Sequence, residues 1–267
     1  ELWVTGPAAV GEMEITAQPL ILPTNQRQHQ GQAVFGFRAA VSNAQEGTRA
    51  CWELYRGAEN SMTDVSEKPL LSGTLDCKEE AALPPAVLSE IVFWHFDRPE
   101  LYTLRLSLLL PDGTLSDSRE WVIGFRELKL HGAAWYLNGE MVRLPGMEWM
   151  PGSDPARGMA EPKENLEKML RILKESNSVF TRFHWQQDDW VYDWCDRHGM
   201  LVQEEIPFWG KQPQGDPEAL WPVACQQMDE MISAHRHHPS IIAWGVGNEL
   251  EAQTWPLQRY VRRAVAY

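Results

Sequence analysis

The sequence predicts a multidomain chain: an immunoglobulin-like β-sandwich over residues 1–124, followed by the first four βα units of a (β/α)8 TIM barrel over residues 125–267. Three observations carry this reading. Before Gly124 the apolar residues recur with period two, broken by turn residues at short intervals and without any helical period. After Phe125, strand-like and helix-like runs alternate with short connections, which implies parallel strands joined by right-handed crossovers. The strand-like runs of that second half all finish in polar or aromatic residues, the mark of a barrel whose site is built from several strand ends.

Taken in order, Glu12–Gln18, Ala33–Val41, Arg49–Tyr55 and Leu101–Leu110 alternate or are apolar throughout and read as strands, with turn signals at Asn43, Gly47 and Pro111-Asp112-Gly113. About seven or eight short strands in the first 120 residues or so match a sandwich, whose default role is support. Trp135–Leu144 reads as a hairpin around Asn138-Gly139, leading to an apolar segment that ends at Glu148-Trp149. Pro162–Ser176 is helical by the spacing of Leu166, Met169, Leu170 and Leu173. Ser178–His184 is a strand, Asp188–His198 a helix closed by Gly199, and Met200–Glu205 a strand. Pro217–His235 is helical, Ser240–Glu249 is a strand, and a last helix starts at Thr254.

Ser240–Glu249 organises the second half. Ile241, Ile242, Ala243, Trp244 and Val246 suit a strand buried on both faces, and Gly245 and Gly247 let the backbone bend or be approached closely. Asn248 and Glu249 then stand at its carboxyl end. On the local residues alone, Glu249 serves equally well as a cap for the following helix or as a catalytic carboxylate.

Composition narrows the classes of function. The 267 residues carry a formal charge of −13 with a pI near 5.1, and both halves are acidic, so no nucleic-acid partner is expected. No apolar run approaches the roughly 20 residues of a membrane span, no basic-then-apolar leader pattern opens the chain, and no membrane partner is expected. Cys51, Cys77, Cys195 and Cys225 lack metal-ligand spacing and are expected as free thiols. His235, His237 and His238 are read as residues at the negative end of a helix, not as a metal centre. No Gly-rich phosphate turn follows the first parallel strand, which argues against a dinucleotide-binding sheet; no cofactor and no metal are expected. Of 13 Trp residues, 9 lie from Trp135 onward, and an indole stacks on a sugar ring as readily as it fills a core. A carbohydrate partner fits that asymmetry.

Five stretches in order, WHFDRPELY from Trp94 with Gly124-Phe125-Arg126, YLNGEMVRLPGMEW from Tyr136, Asn177 with TRFHW, CDRHGMLVQEE from Cys195, and HHPSIIAWGVGNE ending at Glu249, resemble glycoside hydrolase family 2. That family includes β-galactosidases, β-glucuronidases and β-mannosidases. The resemblance covers about Trp94 to Glu249. It implies a retaining exo-β-glycosidase, of β-galactosidase type as the first expectation, with Glu249 as general acid/base and Asn248 at the sugar 2-hydroxyl. His184, Trp185, Arg182, Glu205, Trp149 and Trp209 are the expected substrate-binding residues. Trp149 and Trp209 are the candidate stacking platforms, Glu205 lies at the rim or behind it, and Glu204 is expected to be more exposed. The family's nucleophile sits on a later strand and is therefore expected outside residues 1–267, so this piece alone should not hydrolyse glycosides. Two unpaired sheet edges would favour a homo-oligomer. A carbohydrate-binding or scaffolding module that has kept the pocket without the chemistry is the alternative.

Overall fold

The computed structural model describes residues 4–22, 28–152, 154–210, 217–251 and 253–267. They form two compact units, residues 1–143 and 144–267.

The first unit is β-rich. Its strands are β1 (Ala9–Pro19), β2 (Gln30–Ser42), β3 (Arg49–Arg56), β4 (Leu71–Asp76), β5 (Glu80–Val92), β6 (Tyr102–Leu109) and β7 (Leu115–Ile123), followed by a small antiparallel sheet of β8 (Leu128–His131), β9 (Ala134–Leu137) and β10 (Glu140–Val142). The seven larger strands make two antiparallel sheets, ordered β1-β2-β5 and β4-β3-β6-β7. Period-two alternation turns one face of each inward. Phe35 and Phe37 of β2 therefore meet Trp52 of β3, with Leu54, Tyr102, Leu104 and Phe125 in the same core. Each such fully buried side chain stabilises by about 1.5–3 kcal/mol.

The unit extends through Arg143, past the sequence boundary at Gly124, because Asn138 ties the small sheet down. Its backbone N–H donates to the Glu127 carbonyl, its Oδ1 accepts from the Glu127 N–H at 2.9 Å, and its Nδ2 donates to the Trp94 carbonyl at 2.8 Å. Asn138 and Gly139 both have positive φ, 49° and 84°, as a two-residue hairpin turn of the favoured twist requires.

The second unit winds β11 (Gly146–Glu148), α1 (Lys163–Glu175), β12 (Phe180–Phe183), α2 (Asp189–His198), β13 (Leu201–Glu205), α3 (Pro217–His235), β14 (Ile241–Gly245) and α4 (Trp255–Ala266). All pairings are parallel and the order is β11-β12-β13-β14. Leu166, Leu170 and Leu173, at helical spacing on α1, pack with Val191, Tyr192 and Trp194 of α2 over Phe183 and Val202. Met228 and Met231 of α3 pack with Tyr260 and Ala264 of α4. Gly199 closes α2 in the left-handed conformation at φ 69°. β14 is shorter than its apolar run: regular pairing stops at Gly245, although Asn248 bridges Trp209 in parallel fashion.

The four cysteines are free. No described helix is long and apolar enough to cross a membrane.

Candidate active site at the carboxyl ends of the parallel strands

β11 to β14 all run the same way, so their final residues collect at one end of the sheet. Arg182 on β12 is the hub there. Its Nη1 donates to Glu148 Oε1 at 2.7 Å, its Nη2 to Glu205 Oε1 at 2.7 Å and to Asn248 Oδ1 at 2.9 Å, and its Nε to Glu205 Oε2 at 3.3 Å. One guanidinium thus ties the ends of four strands, and its planar fork suits the two oxygens of Glu205. Glu205 is 2% exposed and also accepts from Gln203 Nε2. Charged hydrogen bonds of this kind are worth about 1.5–3 kcal/mol each when shielded from water.

Gly245 of β14 is required by this arrangement. A Cβ added there would stand 2.2 Å from Glu205 Oε2, so only glycine leaves room for the carboxylate to reach Arg182. Beyond it the chain turns out of the ladder. Asn248 N–H donates to the Phe208 carbonyl at 2.8 Å, and Gly210 N–H to the Asn248 carbonyl at 3.2 Å. Glu249 follows with φ 51°, a left-handed conformation that costs a non-glycine residue about 1 kcal/mol or more. That twist lets Asn248 and Glu249, consecutive in sequence, serve one cavity.

The cavity measures about 530 Å³ and is lined by Glu148, Met150, His184, Trp209, Asn248 and Glu249. His184 Nε2 meets the Met150 sulfur and lies 3.8 Å from Glu148 Oε1. The His184 ring stands 4.4 Å from Trp185 and 6.0 Å from Trp209, so three aromatic rings cluster at this rim. Trp209 is 55% exposed and available for stacking on a ligand ring. Trp149 is not: it is 6% exposed, edge-on to Phe183, in the core with Leu166 and Leu170. The residues alone end the first parallel strand at Glu148-Trp149 without naming Glu148 or Met150 among the expected substrate-binding residues. Glu148's position at the end of β11, level with Arg182, is the signal that would have placed it.

Glu204 corrects an expectation. It is fully buried, because period two turns it to the opposite face from Glu205, toward the helices. There it accepts from Tyr192 Oη at 2.8 Å and faces His235 Nδ1 at 2.9 Å, while His235 Nε2 lies 3.3 Å from Asp189. Burial and the Glu204 carboxylate push the Tyr192 phenol well above its ordinary value, so it remains a donor.

His238 Nδ1 hydrogen-bonds with Asp196 Oδ2 at 2.6 Å, and Asp196 Oδ1 accepts from the Ser240 N–H at 2.9 Å, fixing the turn into β14. With Asp193 these residues place three donor atoms within 4.8 Å of one another, the spacing of a metal site, yet Asp193 also pairs with Arg197 at 3.7 Å. The geometry is accounted for by these pairings. Burial works against charging His238, and the Asp196 carboxylate outweighs it, holding its pKa above the usual histidine value.

Comparison with known proteins agrees with this architecture. Residues 128–264 match the model of the glycosyl hydrolases family 2, TIM barrel domain. A beta-galactosidase of Thermoanaerobacterium thermosulfurigenes is 38% identical over 163 residues, 60% of this chain and 22% of that protein. Beta-galactosidase 2 of Enterobacter cloacae is 29% identical over 227 residues, 79% of this chain and 22% of that protein. The crystal structure of Parabacteroides merdae beta-glucuronidase superposes with a TM-score of 0.78 over 97% of this chain and 33% of that one, at 22% identity, a likeness of fold. The chain spans about a fifth of the length of the curated relatives it matches.

Proposed function

Since the chain belongs to family 2 of the glycosyl hydrolases, we propose that it is part of a longer protein that hydrolyses β-linked glycosides from the non-reducing end with retention, β-galactosides first among them. In this reading the first unit is an immunoglobulin-like sandwich. Its two sheets around one core support that, as does Tyr102, whose hydroxyl bonds back to the Val92 backbone in the manner of a tyrosine corner. The second unit is the opening half of an eight-fold barrel. Its strand order advances without the reversal that marks a doubly wound sheet.

The observation that carries the chemistry is the joint placement of Asn248 and Glu249 on one cavity, beyond the carboxyl end of β14, with His184 and Trp209. Retaining hydrolysis needs one carboxyl group to protonate the leaving oxygen and a second, roughly 5–5.5 Å away, to attack the anomeric carbon. Glu249 is the acid and then the base. Asn248, its Oδ1 held by Arg182, presents its amide to the ring hydroxyl next to the anomeric centre, a contact that strengthens as positive charge develops. Trp209 and Trp185 receive the flat face of a sugar or leaving group. Glu205, buried and held by Arg182, is engaged elsewhere, which supports a nucleophile outside residues 1–267.

The test is to assay the full-length protein and residues 1–267 alone on a panel of aryl β-glycosides. Turnover by the full-length protein only is expected. Sugar binding without turnover by the full-length protein would favour a non-catalytic carbohydrate-binding module, and turnover by residues 1–267, abolished by Glu249→Ala, would put the second carboxylate within this chain.

A further inference from the structure

We propose that Glu148 is a specificity-determining carboxylate that selects neutral, hydroxyl-bearing β-glycosides over β-uronides. This rests on the glycosidase reading above and deepens it by naming the substrate class.

Glu148 ends β11, its side chain is 45% exposed, and it lines the same cavity as Asn248 and Glu249. Among the described residues the permanent cation beside it is Arg182, 2.7 Å away, and that cation is shared. Of the five N–H donors of a guanidinium, Arg182 places four: one on Glu148, two on Glu205 and one on Asn248. One positive charge therefore faces two carboxylates, which leaves an excess negative charge at the cavity wall before Glu249 is considered. His184, 3.8 Å away, adds charge only when protonated.

A concave site with such a wall discriminates by the hydrogen the ligand can offer. A sugar hydroxyl donates to a carboxylate in a charge-assisted bond, and Glu148 Oε1 and Oε2 together have lone pairs beyond the one that Arg182 takes. A uronic acid at neutral pH brings a carboxylate that cannot donate and meets a like charge instead. The competing explanation is that Glu148 only steadies Arg182; in that case its loss would weaken all substrates alike. The relatives do not decide this choice: a putative beta-glucuronidase of Formosa agariphila is 36% identical over 163 residues and a beta-galactosidase 38% over the same length.

The experiment compares kcat/KM of the full-length protein on a set of 4-nitrophenyl β-pyranosides of neutral sugars and on 4-nitrophenyl β-D-glucuronide, which share one leaving group. Wild type should prefer a neutral sugar. Glu148→Gln should narrow that preference by about tenfold through a gain on the glucuronide, and Glu148→Asp, which keeps the charge, should retain it. If Glu148→Gln does not fold, the wild-type preference at rising salt decides, since screening should narrow it. Preference of the wild type for the glucuronide, an unchanged ratio in Glu148→Gln, or an unchanged ratio across salt would each overturn the assignment. Turnover of no glycoside at all would overturn the glycosidase reading, and this inference with it.

Discussion

Glu204 and Glu205 are neighbours on one strand and live in opposite surroundings. Behind the sheet, Glu204 is closed in with Tyr192 of α2 and His235 of α3. In front, Glu205 is held by Arg182, which also reaches Asn248 and Glu148. Both carboxylates are buried, so burial does not separate a residue of the fold from a residue of the site. The partners do: Glu204 locks helices onto a strand, whereas Glu205 aims a cation at the groups around a cavity. Two residues of identical chemistry acquire different work because side chains alternate along a strand.

The largest expected effect breaks the rear half of that comparison. Glu204→Ala strands Tyr192 and His235 in the interior, and removing one partner from a buried charged network costs about 3–5 kcal/mol. The thermal midpoint of this domain in the full-length protein should fall steeply, while the molecules that stay folded keep near wild-type kcat/KM. Arg182→Ala also leaves a buried carboxylate, Glu205, without its cation and should lower the midpoint as well. Unlike Glu204→Ala, it should cost about 100-fold in kcat/KM of the molecules that stay folded, since misplacing an aligned group by about 1 Å can cost that much. Equal activity losses in the two variants would abolish the division between front and rear.

Gly245→Ala sharpens the front half. The added Cβ would stand 2.2 Å from Glu205 Oε2, so the carboxylate or the strand must shift, at a cost of about 1–3 kcal/mol. A variant with unchanged thermal midpoint and unchanged kinetics would mean that the Arg182–Glu205 contact tolerates displacement.

The smallest effect concerns the turn into β14. His238 has its pKa raised above the usual 6.5, so its pair with Asp196 contributes stability that is fully present below pH 6.5 and is lost as pH rises through the raised value. His238→Gln should flatten the pH dependence of the thermal midpoint in that window. An unchanged slope would remove the pair from the account of this turn.

What could be read from the residues alone follows the same logic of local against distant partners. The helix stop at Gly199, the hairpin at Asn138-Gly139 and the apolar run before Asn248 announce themselves within a few positions. β5 does not, because Pro84-Pro85 interrupts its pattern. The strand tolerates them at a sheet edge, where its register with β2 shifts opposite Gly36. The exposure expected for Glu204 failed because its partners arrive from α2 and α3, 12 and 31 positions away. Trp149 was expected on a platform and is turned into the core against Phe183, since a strand-end residue can point either way and only packing decides. Arg182, His184, Trp209, Asn248 and Glu249 do come together; the strand-end pattern pointed to Arg182, His184, Asn248 and Glu249, and their roles, with that of Trp209, came from the family resemblance.

The central claim is that Glu249 supplies the proton to a departing sugar oxygen. Its most direct test is the dependence of kcat/KM on leaving-group pKa for Glu249→Gln in the full-length protein. A leaving group that departs unaided needs no proton, so the variant should lose about 100-fold or more on poorly activated alkyl or sugar aglycones and far less on a dinitrophenyl glycoside. Losses of equal size on both kinds of substrate would contradict the assignment.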